Sequence, residues 1–244
     1  MKIKIILAVL ACLLLCACAQ QEESSRQYYQ VVTDAPEETE EPEPDGTEAY
    51  VQTARQERFV NSDGSYVTYA IPRLTAGSKD AKAINAAIEK SYVKDFETAA
   101  QEEEKDKTLS VSELRYDCFL NDEALSVVIT RTTNAHNVSY SVYNYHIGKN
   151  RQLNNRGIAD YMKKSENALY AAVKTALEND YVSKFKYDNF KNDYYINYEK
   201  TLSDDNIKNS GLFFDGSGNL CAICKEFASV GKGEFNVIIK VSVE

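Results

Sequence analysis

The sequence has no tryptophan, only two histidines and only four prolines among its 244 residues. Both histidines, His136 and His146, fall in one predicted hairpin, so a zinc site would need ligands from elsewhere in the chain. No P-loop, HExxH or nucleophile-elbow motif occurs. Acidic side chains are plentiful, but they fall in predicted turns and on solvated helix faces without a defensible acid–base pair. We therefore expect a protein that is not an enzyme and that uses no cofactor or metal.

Long apolar runs are also lacking. The longest, from Ile5 to Leu15, falls short of the roughly 20 residues that cross a bilayer. Lys2 and Lys4 precede it and small residues follow it, which is typical of a secretory signal peptide. Within Leu15-Cys16-Ala17-Cys18, the last cysteine has an aliphatic residue at −3 and a small residue at −1. This pattern is that of a bacterial lipobox.

The lipobox predicts how the chain is processed and where it is placed. Residues 1–17 would be a lipoprotein signal peptide, and Cys18 would carry the acyl chains, palmitate among them. The alternative is an ordinary signal peptide that is cut near Ala17 or Ala19. Two acyl chains hold a protein on a membrane where one is marginal. We therefore expect a bacterial surface protein that is lipid-anchored to the cell membrane and faces outside.

An excess of basic residues is missing as well. The formal net charge is −9, and residues 19–50 hold ten acids against one base, so residues 51–244 carry only −2. Without a basic face, the larger region is not expected to bind nucleic acid or to be drawn to an anionic surface by charge. Residues 19–50 also hold three of the four prolines. That composition predicts a disordered acidic tether over 18–50, after the lipidated cysteine.

Cysteine is scarce beyond the signal region, where only Cys118, Cys221 and Cys224 remain. An odd number does not make a disulfide framework. Cys221 and Cys224 lie in a strand-like run, in which residues three apart point to opposite faces, whereas a redox CxxC needs a helix N-terminus. The three residues are predicted to be small core residues, or to include one structural disulfide between Cys118 and either of the others.

Two stretches of the 51–244 region predict long amphipathic helices, over 78–104 and 165–185. Their apolar residues recur every three or four positions, and a serine can cap each start. The first stripe holds Ala81, Ile84, Ile88, Tyr92, Phe96 and Ala99; the second holds Leu169, Val173, Ala176, Leu177, Tyr181 and Phe185. A single helical turn is predicted over 157–162.

The rest of the region predicts short strands between turn residues. Alternating residues indicate strands on both sides of Asn61–Gly64, over 114–120, 124–133 and 139–147, and at 211–215, 220–227 and 234–243. No regular alternation of strand and helix appears. We therefore predict one α+β domain over 51–244, with two long helices packed on antiparallel sheet.

Residues 187–209 are irregular and contain three tyrosines within five residues: Tyr194, Tyr195 and Tyr198. Aromatic side chains grouped in this way can bind sugar rings or a protein partner. We take the three tyrosines as the candidate ligand-binding residues. The alternative, which the pattern favours, is a half-buried edge of the sheet.

Several short motifs of the 51–244 region resemble those of one bacterial extracytoplasmic module. They are Ala83-Ile84-Asn85-Ala86-Ala87-Ile88, Leu125-Ser126-Val127-Val128-Ile129, Tyr143-Asn144-Tyr145-His146-Ile147-Gly148-Lys149, and the stretch from Ala228 through Gly231 and Phe235 to Ile239. This module occurs in the extracellular part of the anti-sigma factor RsiV, which binds lysozyme, and in the non-catalytic N-terminal part of the peptidoglycan deacetylase PdaC. The resemblance covers most of residues 60–243.

The resemblance implies a non-catalytic module that binds a cell-wall-associated ligand, either a lysozyme-like protein or peptidoglycan. The chain departs from the family in lacking the usual proline after Ala228, a transmembrane helix with a cytoplasmic anti-sigma segment, and a deacetylase domain. We therefore do not expect direct inhibition of a sigma factor. The alternatives are a hydrolase or deacetylase accessory of wall polymer, and a structural subunit of a membrane complex.

Overall fold

Turn residues and alternating apolar side chains place the strands in the computed structural model, which describes residues 46–185, 191–228 and 233–243. Cys18, the signal segment and most of the predicted tether lie outside these residues. All described residues belong to one compact unit, residues 44–244. The strands are β1 (Val51–Val60), β2 (Tyr66–Leu74), β3 (Val111–Asn121), β4 (Ala124–Thr133), β5 (Val138–His146), β6 (Arg151–Leu153), β7 (Gly211–Phe214), β8 (Leu220–Phe227) and β9 (Glu234–Lys240).

The prediction of two long helices is confirmed in part: α1 (Lys79–Glu104) and α3 (Glu166–Lys184) are present, and three shorter helices accompany them among the described residues. Each long helix begins after a serine whose hydroxyl accepts a hydrogen bond from a first-turn backbone N–H: Ser78 from Ala81 at 3.0 Å and Ser165 from Ala168 at 3.1 Å. The predicted apolar stripe of α1 is buried throughout. The other helices are α2 (Asn155–Tyr161), α4 (Lys191–Thr201) and α5 (Asp204–Lys208).

The first six strands form one sheet in the order β1-β2-β3-β4-β5-β6, here called the large sheet. Most neighbours are antiparallel, but β2 and β3 run parallel and are paired at Tyr69 and Leu114. The prediction of a purely antiparallel sheet is wrong at this point. The reason is α1, which joins β2 to β3 and carries the chain back along the sheet, so that β3 starts at the same end as β2.

The last three strands form a separate antiparallel sheet in the order β7-β8-β9, here called the small sheet. Contacts between the two sheets are made by Val128 on β4 with Phe213, Cys221 and Ile223 of the small sheet. Strand β4 is therefore buried on both of its faces rather than on one. The α+β class is confirmed, but the strands divide into two stacked sheets.

The helices cover the outer faces of this pair of sheets. The buried stripe of α1 packs on the large sheet against Leu125, Val127 and Ile129 of β4. On the small sheet, Leu169, Val173 and Leu177 of α3 share a core with β8 and β9. The described residues thus form four layers, in the order α1, large sheet, small sheet, α3.

A buried polar junction fastens the two sheets together. Ser126 donates its hydroxyl to the side-chain oxygen of Asn144 at 2.7 Å, and the Asn144 amide donates to the backbone oxygen of Leu212 at 2.7 Å. The Ser126 hydroxyl in turn accepts a hydrogen bond from the backbone N–H of Phe214 at 3.0 Å. Side chains of the large sheet therefore satisfy backbone groups of β7 that no strand satisfies.

Strand β6 was not anticipated from the sequence, since three residues are too few to show a period. Among the described helices, none is both long and apolar enough to cross a membrane.

Candidate binding site

The described residues contain no group of three or more His, Cys, Asp or Glu side chains placed to hold a metal ion. His136 lies in the turn after β4 and is exposed, whereas His146 ends β5 and is buried. Burial lowers the pKa of His146, so its imidazole is neutral at pH 7. The ring of His146 meets the ring of Tyr161 edge-on at 5.7 Å. We assign His146 a packing role.

No disulfide joins Cys118, Cys221 and Cys224. Cys221 and Cys224 are buried core residues, as one of the two alternatives predicts, whereas Cys118 is only partly buried. Cys221 faces the large sheet and Cys224 faces the core under α3, as the alternation of a strand predicts. Burial raises the pKa of Cys221 to about 11 and that of Cys224 to about 12. Both thiols are therefore protonated at neutral pH and poor nucleophiles.

The three candidate tyrosines lie on α4, so the favoured prediction of a sheet edge is wrong. Tyr194 and Tyr198 are four residues apart and face α3, where the buried ring of Tyr181 lies 5.5 Å and 5.7 Å from theirs. Tyr195 points away from that contact and is 46% exposed. Tyrosine favours strands in general, but here packing against α3 decides the conformation.

Together with residues of α3 and β9, these side chains form what we call the aromatic cluster: Tyr181, Phe185, Tyr194, Tyr195, Tyr198 and Phe235. The Tyr181 ring is fully buried and lies 4.6 Å from the ring of Phe185. The Phe185 ring lies 6.3 Å from the ring of Phe235, which is 40% exposed. The cluster thus has a buried centre and an exposed margin, and Tyr195 and Phe235 form that margin.

Hydrogen bonds hold the inner tyrosines in place. The Tyr198 hydroxyl donates to a carboxylate oxygen of Glu178, and that hydrogen bond, with burial, raises the pKa of Tyr198 to about 12. The Tyr181 hydroxyl donates to the backbone oxygen of Tyr194 at 3.4 Å, and burial raises the pKa of Tyr181 to about 12. Both phenols are therefore neutral at physiological pH, and the cluster's inner rings carry no charge.

Three charged side chains lie beside the aromatic cluster. Lys184 contacts Asp180 at 2.5 Å and Glu226 at 3.2 Å, and its ammonium lies 6.0 Å from the centre of the Phe235 ring. Glu226 is 0% exposed, and its Oε1 atom accepts no hydrogen bond from any described residue. Burial, and the neighbouring Asp180 carboxylate, raise the pKa of Glu226 to about 7. A protonated Glu226 can donate a hydrogen bond to Asp180.

A groove of about 820 Å³ leads from Asp180 along α3 beside β9. The helix side is lined by small residues, and the strand side is the outer edge of β9. The lining residues are Ala168, Ala171, Ala172, Thr175, Ala176, Asn179, Asp180, Ile238, Ile239, Lys240 and Ser242. Asp180 contributes to both the groove and the charged group, so groove and aromatic cluster form one continuous face.

Sequence reasoning found the tyrosines of this face but missed the groove and Glu226. The sequence could have indicated the groove, because alanines recur at three- and four-residue spacing beside the apolar stripe of α3. Glu226 had none, because its burial follows from contacts with Asp180 and Lys184, which are more than 40 residues away in the sequence.

The chain matches no protein-family profile and no curated protein sequence. Among solved structures, it is similar to the crystal structure of a member of the DUF3298 family from Bacteroides fragilis. The two chains are 15% identical, and the match covers 78% of this chain and 88% of the other, with a TM-score of 0.39. This identity and this TM-score are too low to assign the chain to that family.

Proposed function

We propose that the chain is a lipoprotein of the bacterial cell surface whose 51–244 region is a non-catalytic binding module related to those of RsiV and PdaC. The ligand is a cell-wall-associated one, either a lysozyme-like protein or peptidoglycan. The acyl chains on Cys18 hold the protein at the membrane, and the acidic tether extends the module away from it.

The observation that carries this proposal is the exposed margin of the aromatic cluster. Tyr195 is 46% exposed and its neighbour Ile196 is 63% exposed, although both lie on a helix packed against the rest of the module. Aromatic side chains with rigid support and exposed faces are common anchors for protein ligands, and tyrosine rings also stack on sugars. Lys184 and Asp180 supply charge beside them.

Replacing Tyr195 with alanine is expected to weaken binding of a soluble muramidase or of solubilised wall fragments by about 10-fold or more, as for an anchor residue. The reason is that the ring is removed from the contact surface while the buried Tyr181 and its neighbours stay in place. Calorimetric titration of the full chain in detergent measures this change directly.

Tyr66 provides the matched control, because it is also exposed, at 61%, but lies on β2 in the large sheet. Tyr66→Ala is expected to leave the affinity unchanged. Equal losses in the two variants, or none in either, would contradict placement of the ligand on the aromatic cluster.

The lipid anchor is tested with the two cysteines of the Leu15-Cys16-Ala17-Cys18 motif. Cys18→Ser is expected to abolish incorporation of radiolabelled palmitate in a bacterial host and to release the chain from the membrane fraction, because no acyl acceptor remains. Cys16→Ser is the control and is expected to keep both label and membrane attachment. Labelling that survives in Cys18→Ser and disappears in Cys16→Ser would show that the lipobox has been placed wrongly.

A further inference from the structure

The described strands present four sheet edges, and three of them are protected against pairing with another chain. Strand β1 carries charged residues and a bulge between Thr53 and Arg55, and β6 is only three residues long. Two outward backbone groups of β7 are occupied by side chains of the large sheet, since the Leu212 oxygen accepts from Asn144 and the Phe214 N–H donates to Ser126. The remaining edge belongs to β9.

The hydrogen-bond pattern shows which groups of β9 face outward. Val241 donates its N–H to Leu220 at 2.8 Å, and Ala228 donates to Gly233 at 3.1 Å, so odd-numbered residues at this end of the chain pair with β8. In an antiparallel ladder the alternate residues direct their N–H and C=O groups to the other side. These are Glu234, Asn236, Ile238 and Lys240. No described residue hydrogen-bonds to their outward backbone groups.

The outer edge of β9 is long enough to pair with an added strand and carries exposed apolar side chains. Its seven residues include Phe235 at 40% and Ile238 at 48% exposure. Such an edge is a template for an added strand. The groove beside α3 leaves space above that position.

We propose that the occupant of this edge is the β9 strand of a second copy of the chain, paired antiparallel about a twofold axis at Val237. In this register Glu234 lies opposite Lys240 of the second copy, and Lys240 opposite its Glu234, so two opposite-charge pairs form. Glu234 and Lys240 already contact Lys225 at 2.7 Å and Asp215 at 3.6 Å within their own chain, but at 50% and 71% exposure both side chains remain accessible to the second copy. Asn236 lies opposite Ile238, and all four outward residues are in register to exchange backbone hydrogen bonds.

The positions of the helices agree with this arrangement. In one continuous six-stranded sheet, both α3 helices lie on the same face. Because α3 shares its core with both β8 and β9, and strands are about 4.8 Å apart, the two helix axes come to lie roughly 10 Å apart. This is a packing distance, and the alanines that line the groove are small enough to permit it. The groove of each copy is thereby filled by the helix of the other.

Two differently tagged full-length chains, co-expressed and extracted in detergent, test this pairing. The wild-type copies are expected to capture each other. Glu234→Lys places lysine opposite lysine at both pairs, and Lys240→Glu places glutamate opposite glutamate. Each variant alone is expected to raise the dissociation constant on the order of 10-fold or more. Arg58→Glu on the β1 edge is the control and is expected to behave as wild type.

The deciding sample combines a tagged Glu234→Lys chain with a tagged Lys240→Glu chain. In the mixed pair both contacts become attractive again, so capture is expected to return to the wild-type level. Absence of capture between wild-type copies overturns the proposal. So does capture that is insensitive to either single reversal, or a mixed pair that stays dissociated although each variant is folded by circular dichroism.

Discussion

Replacing Asn144 with leucine is expected to lower the free energy of unfolding by about 3 kcal/mol, because it leaves two buried polar groups without a hydrogen-bond partner. The backbone oxygen of Leu212 loses its donor and the hydroxyl of Ser126 loses its acceptor. Because leucine fills a similar volume, the loss of stability comes from the missing hydrogen bonds rather than from a cavity. Guanidinium denaturation measures it, and thermal unfolding should show a fall of roughly 6–12 °C.

Ser126 and Asn144 act as one unit, which gives a sharper form of the same test. Ser126→Ala alone removes the partner of the Phe214 N–H and is expected to be destabilising by a smaller amount. The loss of unfolding free energy in the double variant should be smaller than the sum of the losses in the two single variants. The reason is that the hydrogen bond between Ser126 and Asn144 is counted in both single variants but is lost only once in the double variant. Asn137→Leu, at an exposed hairpin position, is the control with an expected change near zero. A loss below 1 kcal/mol for Asn144→Leu would mean that the junction does not hold the sheets together.

Glu226→Gln is expected to stabilise the fold at pH 8, on the order of 2 kcal/mol, and to have little effect at pH 5. The pKa of Glu226 is raised to about 7, above its ordinary value of 4.5, chiefly by burial. Between these values the folded state holds a proton that the unfolded state has released. The stabilisation that this proton provides is complete below pH 4.5 and is lost as the pH rises through 7. Glutamine cannot ionise, so the variant escapes that loss.

The measurement is the difference in free energy of unfolding between variant and wild type from pH 5 to pH 8. Taking the difference cancels other titrating groups, including His146, whose lowered pKa changes stability in the opposite direction as the pH falls. Glu199→Gln on the exposed side of α4 is the control and should give a flat difference. A flat difference for Glu226→Gln as well would show that Glu226 stays ionised in the folded protein, held so by Lys184.

The parts of the fold that follow from local pattern were predictable. The spacing of apolar residues and the caps Ser78 and Ser165 placed α1 and α3 to within a residue. Turn residues placed the hairpins, including the turn at Asp122, which takes a positive φ of 50°. These signals are local because a helix or hairpin is closed by hydrogen bonds between residues near in sequence.

The arrangement of these elements was not predictable in the same way. Ser126, Val128 and Thr130 alternate with apolar residues on β4, and a half-exposed strand would show the same alternation. Only the second sheet makes that face buried. The parallel pairing of β2 with β3 likewise depends on where α1 returns the chain.

In the candidate site, too, some features follow from the local sequence and others depend on contacts between distant residues. Tyr194, Tyr195 and Tyr198 stood out by composition, but their helix is fixed by contact with Tyr181. Glu226 looks like any strand glutamate until Asp180 and Lys184 are brought beside it. A site assembled from α3, α4 and two strands is therefore visible in the sequence only in part.

The most direct test of the account is capture of a wall-associated ligand by the full chain, immobilised in detergent through a terminal tag. Soluble muramidases and solubilised peptidoglycan fragments are passed over it separately. We predict that at least one of the two is retained by the wild-type chain and is released when Tyr195 is replaced by alanine. Retention of neither would contradict a cell-wall-binding function.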